Sequence, residues 1–148
     1  MRILIIEDGH EYTDTLTRFA GDAAEWMRAG NAAEGLTHLA QGGWDAAFLD
    51  MRFNRVPDDA LLGDVVALTT RFAGDRTKAI RFLQENQGTL VLSAIRAAGY
   101  ALPVLFSYNF DEEPRRWARV HAANGRVGFV PDSASPMDVA KRLAEMTA

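Results

Sequence analysis

The sequence predicts an α/β domain, a three-layer α/β/α sandwich around a five-stranded parallel sheet, and three observations predict it. Short apolar runs recur along the chain, segments of helical periodicity separate them, and the first, third and fourth runs end in oxygen-bearing side chains. Strands alternating with helices require right-handed crossovers, which leave a parallel sheet covered on both faces. In such a sheet the carboxyl ends of the strands share one edge, and sites form there near the switch point.

The elements follow in order. Ile3-Leu4-Ile5-Ile6 is a continuous apolar run, as a central strand buried on both faces requires, and it ends in Glu7 and Asp8. Tyr12, Leu16 and Phe19 recur at i, i+4 and i+7, the pattern of a helix laid on a core, with Gly21 as its stop. Ala24 to Arg28 reads as an edge strand, and Ala32, Ala33, Leu36 and Leu39 as the next helix. Ala46-Ala47-Phe48-Leu49 runs into Asp50, Pro103-Val104-Leu105-Phe106 runs into Ser107, and Val127 to Val130 forms the last strand. Glu112 to Ala123 lies between the fourth and fifth strands, with Trp117 and Val120 facing inward. The final helix opens on Ser135-Pro136-Met137-Asp138, with serine as N-cap and proline at the first helical position, and Val139 and Leu143 continue its apolar face.

About fifty residues separate Met51 from Leu102, roughly twice what one crossover helix and its loops need. Residues 51–88 are therefore read as a helical insertion. Leu61, Leu62, Val65, Val66 and Leu68 mark one helix, Ile80, Phe82 and Leu83 a second after Gly74-Asp75, and Leu90 to Ala98 the crossover helix proper.

Composition narrows the function classes. A length of 148 residues fits one domain, and 48% hydrophobic with 24% charged residues is an ordinary globular balance. No apolar run reaches the roughly 18 residues of a membrane span, and the N-terminus lacks the pattern of a signal peptide. Without cysteine, disulfides, thiolate catalysis and cysteine-ligated metal are excluded, and a cytoplasmic address is the expectation. A net charge of −4 argues against the phosphate neutralisation that nucleic-acid binding needs. His10, His38 and His121 share no metal-ligand spacing, and Trp26, Trp44 and Trp117 read as packing residues.

The strand ends gather Glu7, Asp8, Asp50 and Ser107. Carboxylates about 4 Å apart repel by roughly 4 kcal/mol per pair at an effective dielectric of 20, so the group calls for a cation or a raised pKa. A hard divalent ion is the remedy, and Mg2+ takes one or two carboxylates with carbonyl oxygen and water. A carboxylate beside that ion is placed to accept a phosphoryl group.

These residues carry a family resemblance. Ile5-Ile6-Glu7-Asp8 is similar to the strand and acidic pair that open bacterial response-regulator receiver domains of the CheY-like type. Phe48-Leu49-Asp50-Met51 resembles their strand ending in the phosphorylated aspartate, and Pro103 to Ser107 the strand whose final hydroxyl contacts the phosphoryl group. Gly128-Phe129-Val130-Pro131 with Ser135-Pro136 resembles the last strand and its lead into the final helix. The resemblance covers the chain apart from the insertion. It implies the flavodoxin-like strand order 2-1-3-4-5 and Mg2+ held by Glu7, Asp8, Asp50 and the backbone carbonyl of Arg52. It also implies phosphoryl acceptance at Asp50 and a switch-like pair in Ser107 and Phe129.

One position departs from the family. Receivers place a lysine at the end of the fifth strand, where it pairs with the phosphoryl oxygens; here the alignment puts Asp132 there, and another register puts Val130. The only lysines, Lys78 and Lys141, fall in the insertion and the last helix. An aspartate in that place turns attraction for phosphate into repulsion, and Arg52 is the cation that could turn inward against it. Tyr108 and Asn109, after Ser107, either narrow access to Asp50 or face a partner.

The resemblance therefore leads to a stand-alone signalling module of two-component type, acting through protein contacts with an effector in trans or by homodimerisation, with altered phosphorylation. The alternative is a functional receiver phosphorylated on Asp50 by a histidine kinase. In either case its chemistry extends at most to phosphoryl acceptance and autodephosphorylation, and no nucleic acid or membrane is expected as a partner. A third reading rests on Leu4-Ile5-Ile6-Glu7 before Asp8-Gly9, which also resembles the opening of the metal-dependent catalytic domains of topoisomerases and primases. Those need a later Asp-x-Asp, which Asp50-Met51-Arg52 breaks.

Overall fold

The computed structural model describes residues 1–148. Five strands, β1 (Arg2–Ile6), β2 (Glu25–Ala29), β3 (Ala46–Asp50), β4 (Val104–Ser107) and β5 (Val127–Val130), form one parallel sheet in the order β2-β1-β3-β4-β5. The expected three-layer sandwich with strand order 2-1-3-4-5 is therefore present. Between the strands run α1 (Glu11–Phe19), α2 (Ala32–Gln41), α3 (Val65–Arg71), α4 (Arg76–Ala97) and α5 (Pro114–Asn124), and α6 (Pro136–Thr147) closes the chain. No helix is long and apolar enough to cross a membrane.

The inner strand runs are largely apolar because the sheet is buried on both sides. Leu4, Ile6, Ala47, Leu49, Val104 and Phe106 enter one core with Leu39 of α2 and Val91, Leu92 and Ile95 of α4. The alternate residues Ile3, Ile5, Phe48 and Leu105 enter the other, with Leu16 of α1 and Val139 and Leu143 of α6. This alternation is the period-two geometry of a strand applied to residues that are all apolar. Each fully buried Leu, Ile or Phe side chain is worth about 1.5–3 kcal/mol, so these two layers hold the sheet edge in place.

The insertion differs from its expected form. Its first helix begins at Val65, not Leu61, because Gly63 takes a φ of +108° and Asp64 caps the helix, accepting from the Ala67 amide at 3.0 Å. Leu61 and Leu62 lie in the preceding loop, after a single 3₁₀ turn at Asp58–Ala60. Instead of two further helices there is one, the 22-residue α4, so the boundary placed at residue 88 falls inside it. Its first half packs on the insertion, in a small cluster of Leu61, Ile80 and Leu83, and its second half packs on the sheet.

At the junction of the halves the β3 loop docks into the helix. The Gly88 amide donates to the Met51 carbonyl at 2.9 Å and the Gln84 carbonyl accepts from the Phe53 amide at 2.8 Å, although an unbroken ladder would pair Gly88 with Gln84. Glycine is required there, since a Cβ would stand 2.6 Å from the Asp50 carbonyl oxygen and 2.8 Å from Met51 Cα. Gln87, 2% exposed, fastens the insertion to the same turn: its Oε1 accepts from the Leu62 amide at 3.0 Å and its Nε2 donates to the Leu62 carbonyl at 2.9 Å.

Candidate functional site

Because all five strands run the same way, the residues at their carboxyl ends share one edge. Asp50 and Ser107 are paired across β3 and β4, Asp8 follows β1 and Asp132 follows β5. All four line one cavity of about 280 Å3, walled by Tyr12 and Tyr108 and flanked by Arg52 and Arg55.

Asp50 is the chemically perturbed member. Its carboxyl pKa is pushed from 3.8 up to about 6, first by burial, with the neighbouring charges of Asp8 and Glu7 adding to the rise. The amides of Met51 and Arg52 oppose it, and the Met51 amide donates to Asp50 Oδ1 at 2.8 Å. A carboxylate held up in this way gains from any cation that enters beside it.

Glu7 is brought to the same strand end but turned to another task. It is 1% exposed, and its carboxylate accepts from the Tyr12 amide at 3.2 Å and from the amide and hydroxyl of Thr13, both at 2.7 Å. His10, at the cap position of α1, makes no side-chain bond, so Glu7 serves as the helix cap from below and does not line the cavity. Asp8 does line it, with Oδ2 accepting from the Arg55 amide at 2.7 Å.

The structure has no group of three metal-binding side chains gathered closely enough to hold an ion. Of the four carboxylates that line the cavity, Asp8 and Asp50 each have an oxygen engaged by a backbone amide, and the Arg52 carbonyl lies between β3 and α3 without a main-chain partner. That smaller donor set, two carboxylates and a carbonyl, is one Mg2+ accepts when water completes its shell.

Ser107 is 3% exposed and its hydroxyl is hydrogen-bonded to the Tyr12 phenol oxygen at 2.7 Å. Burial raises the Tyr12 pKa, and the ring stands edge-on to Phe48 at 5.3 Å. Phe129 lies apart from the cavity, half-buried in an aromatic cluster with Trp117 at 4.8 Å and Phe110 at 5.5 Å. Tyr108 narrows the mouth, and its phenol donates to Glu113.

Sequence reasoning missed Arg55. It reaches the cavity from the insertion, 47 residues after Asp8, and pairs with Glu11 at 2.5 Å on the rim. Gly9 lets it pass, because a Cβ there would meet the Arg55 guanidinium at 2.1 Å. Arg52 stands on the opposite rim, its guanidinium 5.8 Å from the centre of the Tyr108 ring. The cavity that Asp132 lines is thus flanked by two arginines.

No family model and no curated protein matches the chain. Solved structures do. A two-component response regulator from Clostridium difficile superposes with a TM-score of 0.64 at 13% identity, over 99% of this chain and 94% of that one. A CheY-like response regulator receiver domain protein from Methanospirillum hungatei gives 0.61 at 17%, over 99% and 92%. The chemotaxis protein CheY4 of Vibrio cholerae gives 0.63 at 15%, over 98% and 97%. At these identities the likeness is one of fold, and the fold of this chain is the CheY-like receiver fold.

Proposed function

We propose that this chain, built on the receiver fold, is a signalling module of two-component type that acts by binding other proteins in trans. The observation that carries the reading is the convergence of Asp50, Asp8 and Ser107 on one cavity whose floor is bonded to α4. A change at Asp50 has a direct path, through Met51 and Gly88, to a helix that reaches the molecular surface.

The finer reading concerns phosphorylation. Asp50 is the acceptor: a carboxylate oxygen attacks phosphorus, the bond from phosphorus to the donor breaks, and the donor leaves with that electron pair. Asp8, Asp50 and the Arg52 carbonyl would hold Mg2+, which would supply charge neutralisation for the incoming group. Glu7, committed to α1, stays out of that set. The observation favouring this reading is the pair of arginines at the rim, which oppose the repulsion from Asp132. Ser107 must turn from Tyr12 to meet the new oxygens.

Incubation with a small phosphodonor and Mg2+ tests both levels. Labelling of the wild type that Asp50→Asn abolishes, and that Arg52→Ala slows by about tenfold, is the expected result. Absence of wild-type labelling removes the phosphoryl reading and leaves a protein-binding module whose cavity is not charged by phosphate. Cytoplasmic partners, a histidine kinase upstream and an effector downstream, complete the proposal.

A further inference from the structure

The insertion builds a groove that the Asp50 cavity does not use. It measures about 450 Å3 between α3, α4 and α5, with Leu68, Phe82, Leu90 and Val120 in its apolar lining and Arg116 and Arg119 on the α5 wall. Phe82 remains 45% exposed there, an apolar ring left in water. The one carboxylate in the lining, Asp64, is already engaged in capping α3. Arg116 is held by Asn86 at 2.7 Å and Glu113 at 3.3 Å, whereas Arg119 is engaged by no side-chain hydrogen bond or ion pair. The groove therefore offers apolar surface beside an unpaired positive charge, on a chain whose net charge is −4.

We propose that this groove docks an amphipathic helix of a partner protein, one that sets apolar side chains a turn apart beside a carboxylate directed at Arg119. The inference deepens the reading of the chain as a protein-binding module and rests on it. The groove is also joined to the Asp50 loop: Arg116 Nη2 lies 3.7 Å from Met51 Sδ, and the α4 turn that receives Met51 and Phe53 continues into the groove lining. Occupancy of the groove and the conformation of that loop are consequently linked, and linkage of this kind acts in both directions.

The test is a selection of peptides from a displayed library of amphipathic helices on the full chain, followed by titration of the winners into isotope-labelled protein. The expected winners carry two apolar residues a turn apart and an Asp or Glu. They shift the amides of residues 63–68, 82–90 and 116–120 together with Met51, and they bind about tenfold or more weakly to Arg119→Glu and to Phe82→Ala. Both substitutions sit on exposed positions and leave the fold intact. Winners without a carboxylate, or winners whose shifts fall on another face, overturn the groove and leave the module reading standing. A selection with no winner likewise overturns the groove and leaves the module reading standing. A dimer in sedimentation that Phe82→Ala dissolves, or binding to phosphatidylserine vesicles in place of peptides, assigns the groove to a second copy or a membrane and overturns the proposal as well.

Discussion

The two halves of α4 are one helix with two different jobs. The C-terminal half lays Val91, Leu92 and Ile95 against the sheet, each at most 1% exposed, in the larger core. The N-terminal half sets Ile80 and Leu83 against Leu61 in a small separate cluster. The same backbone geometry thus spans a part of the molecule that holds the fold together and a part that is an accessory to it. What separates them is the turn at Gln84 to Gly88, where the Asp50 loop enters the ladder. Stability in such a molecule is not uniform, and the accessory half, with the smaller cluster behind it, is expected to open at lower cost than the rest.

The largest expected effect tests that division directly. Leu92→Ala should lower global stability by about 2–5 kcal/mol, the range for emptying a well-packed core position. Leu83→Ala removes the same atoms from the smaller cluster and should lower the global value less. Its effect should appear as faster amide exchange confined to residues 58–87. Equal losses in denaturant melts, with exchange accelerated throughout, would show that the insertion and the sheet form one cooperative unit.

Asp50, where the two halves meet, comes next. Its folded pKa of about 6 lies above the ordinary 3.8, so the folded state binds the proton more tightly than the unfolded chain. The contribution of Asp50 to stability is then fullest below pH 4 and falls as pH rises from 3.8 through about 6, by on the order of 3 kcal/mol for a gap of about two pH units. Asp50→Asn should remove that fall and be more stable than the wild type at pH 7 by about 1–3 kcal/mol. Mg2+ should narrow the difference by stabilising the wild type alone. Parallel denaturant curves at several pH values check it, and curves for the two proteins that stay parallel between pH 4 and 7 would refute the buried charge.

At Gly88 the two halves are held to β3 itself. Alanine is a better helix former by roughly 1 kcal/mol, yet its Cβ would press on the main chain of Asp50 and Met51, which cannot rotate aside. The clash should prevail, and Gly88→Ala is expected to destabilise by about 1–3 kcal/mol and to shift the amides of residues 50–53. A stabilised variant with those amides unmoved would mean that the approach of helix to strand is loose.

Much of this was legible in the residues, for a physical reason: strands buried on both faces write themselves as unbroken apolar runs. The runs of β1, β3, β4 and β5 follow from that pattern, whereas the edge strand β2 is only half-buried and the last helix is marked by its Ser135-Pro136 cap. The continuity of α4 did not, because its buried positions change partner halfway, from the insertion to the sheet, and the apolar stripe shifts with them. Glu7 was placed at the right strand end with the wrong occupation. Its partners at Tyr12 and Thr13 are backbone amides, and backbone amides leave no mark in a sequence. Arg55 was invisible for a different reason, since the approach of its amide to Asp8 depends on the path of a loop. The carboxylate of Asp132 and the nearby cation Arg52 were legible; the second arginine, Arg55, was a matter of tertiary structure.

The smallest effect is the most diagnostic of the comparison. Asp75 caps the N-terminus of α4, its carboxylate accepting from the Lys78 amide at 3.0 Å. Asp75→Ala should cost about 1 kcal/mol, the usual value for losing such a cap. If the two halves open separately, that loss is felt by the first turns alone: exchange at residues 76–83 quickens, the melting of the sheet is unchanged, and Asp50 keeps its pKa. The turn at Gly88 would then act as the boundary of an opening unit, isolating the cavity from fraying at the far end of the same helix. A drop in global stability of the full 1 kcal/mol, with exchange quickened beyond Gly88, would instead make α4 a rigid lever, and a disturbance at its N-terminus would reach Asp50.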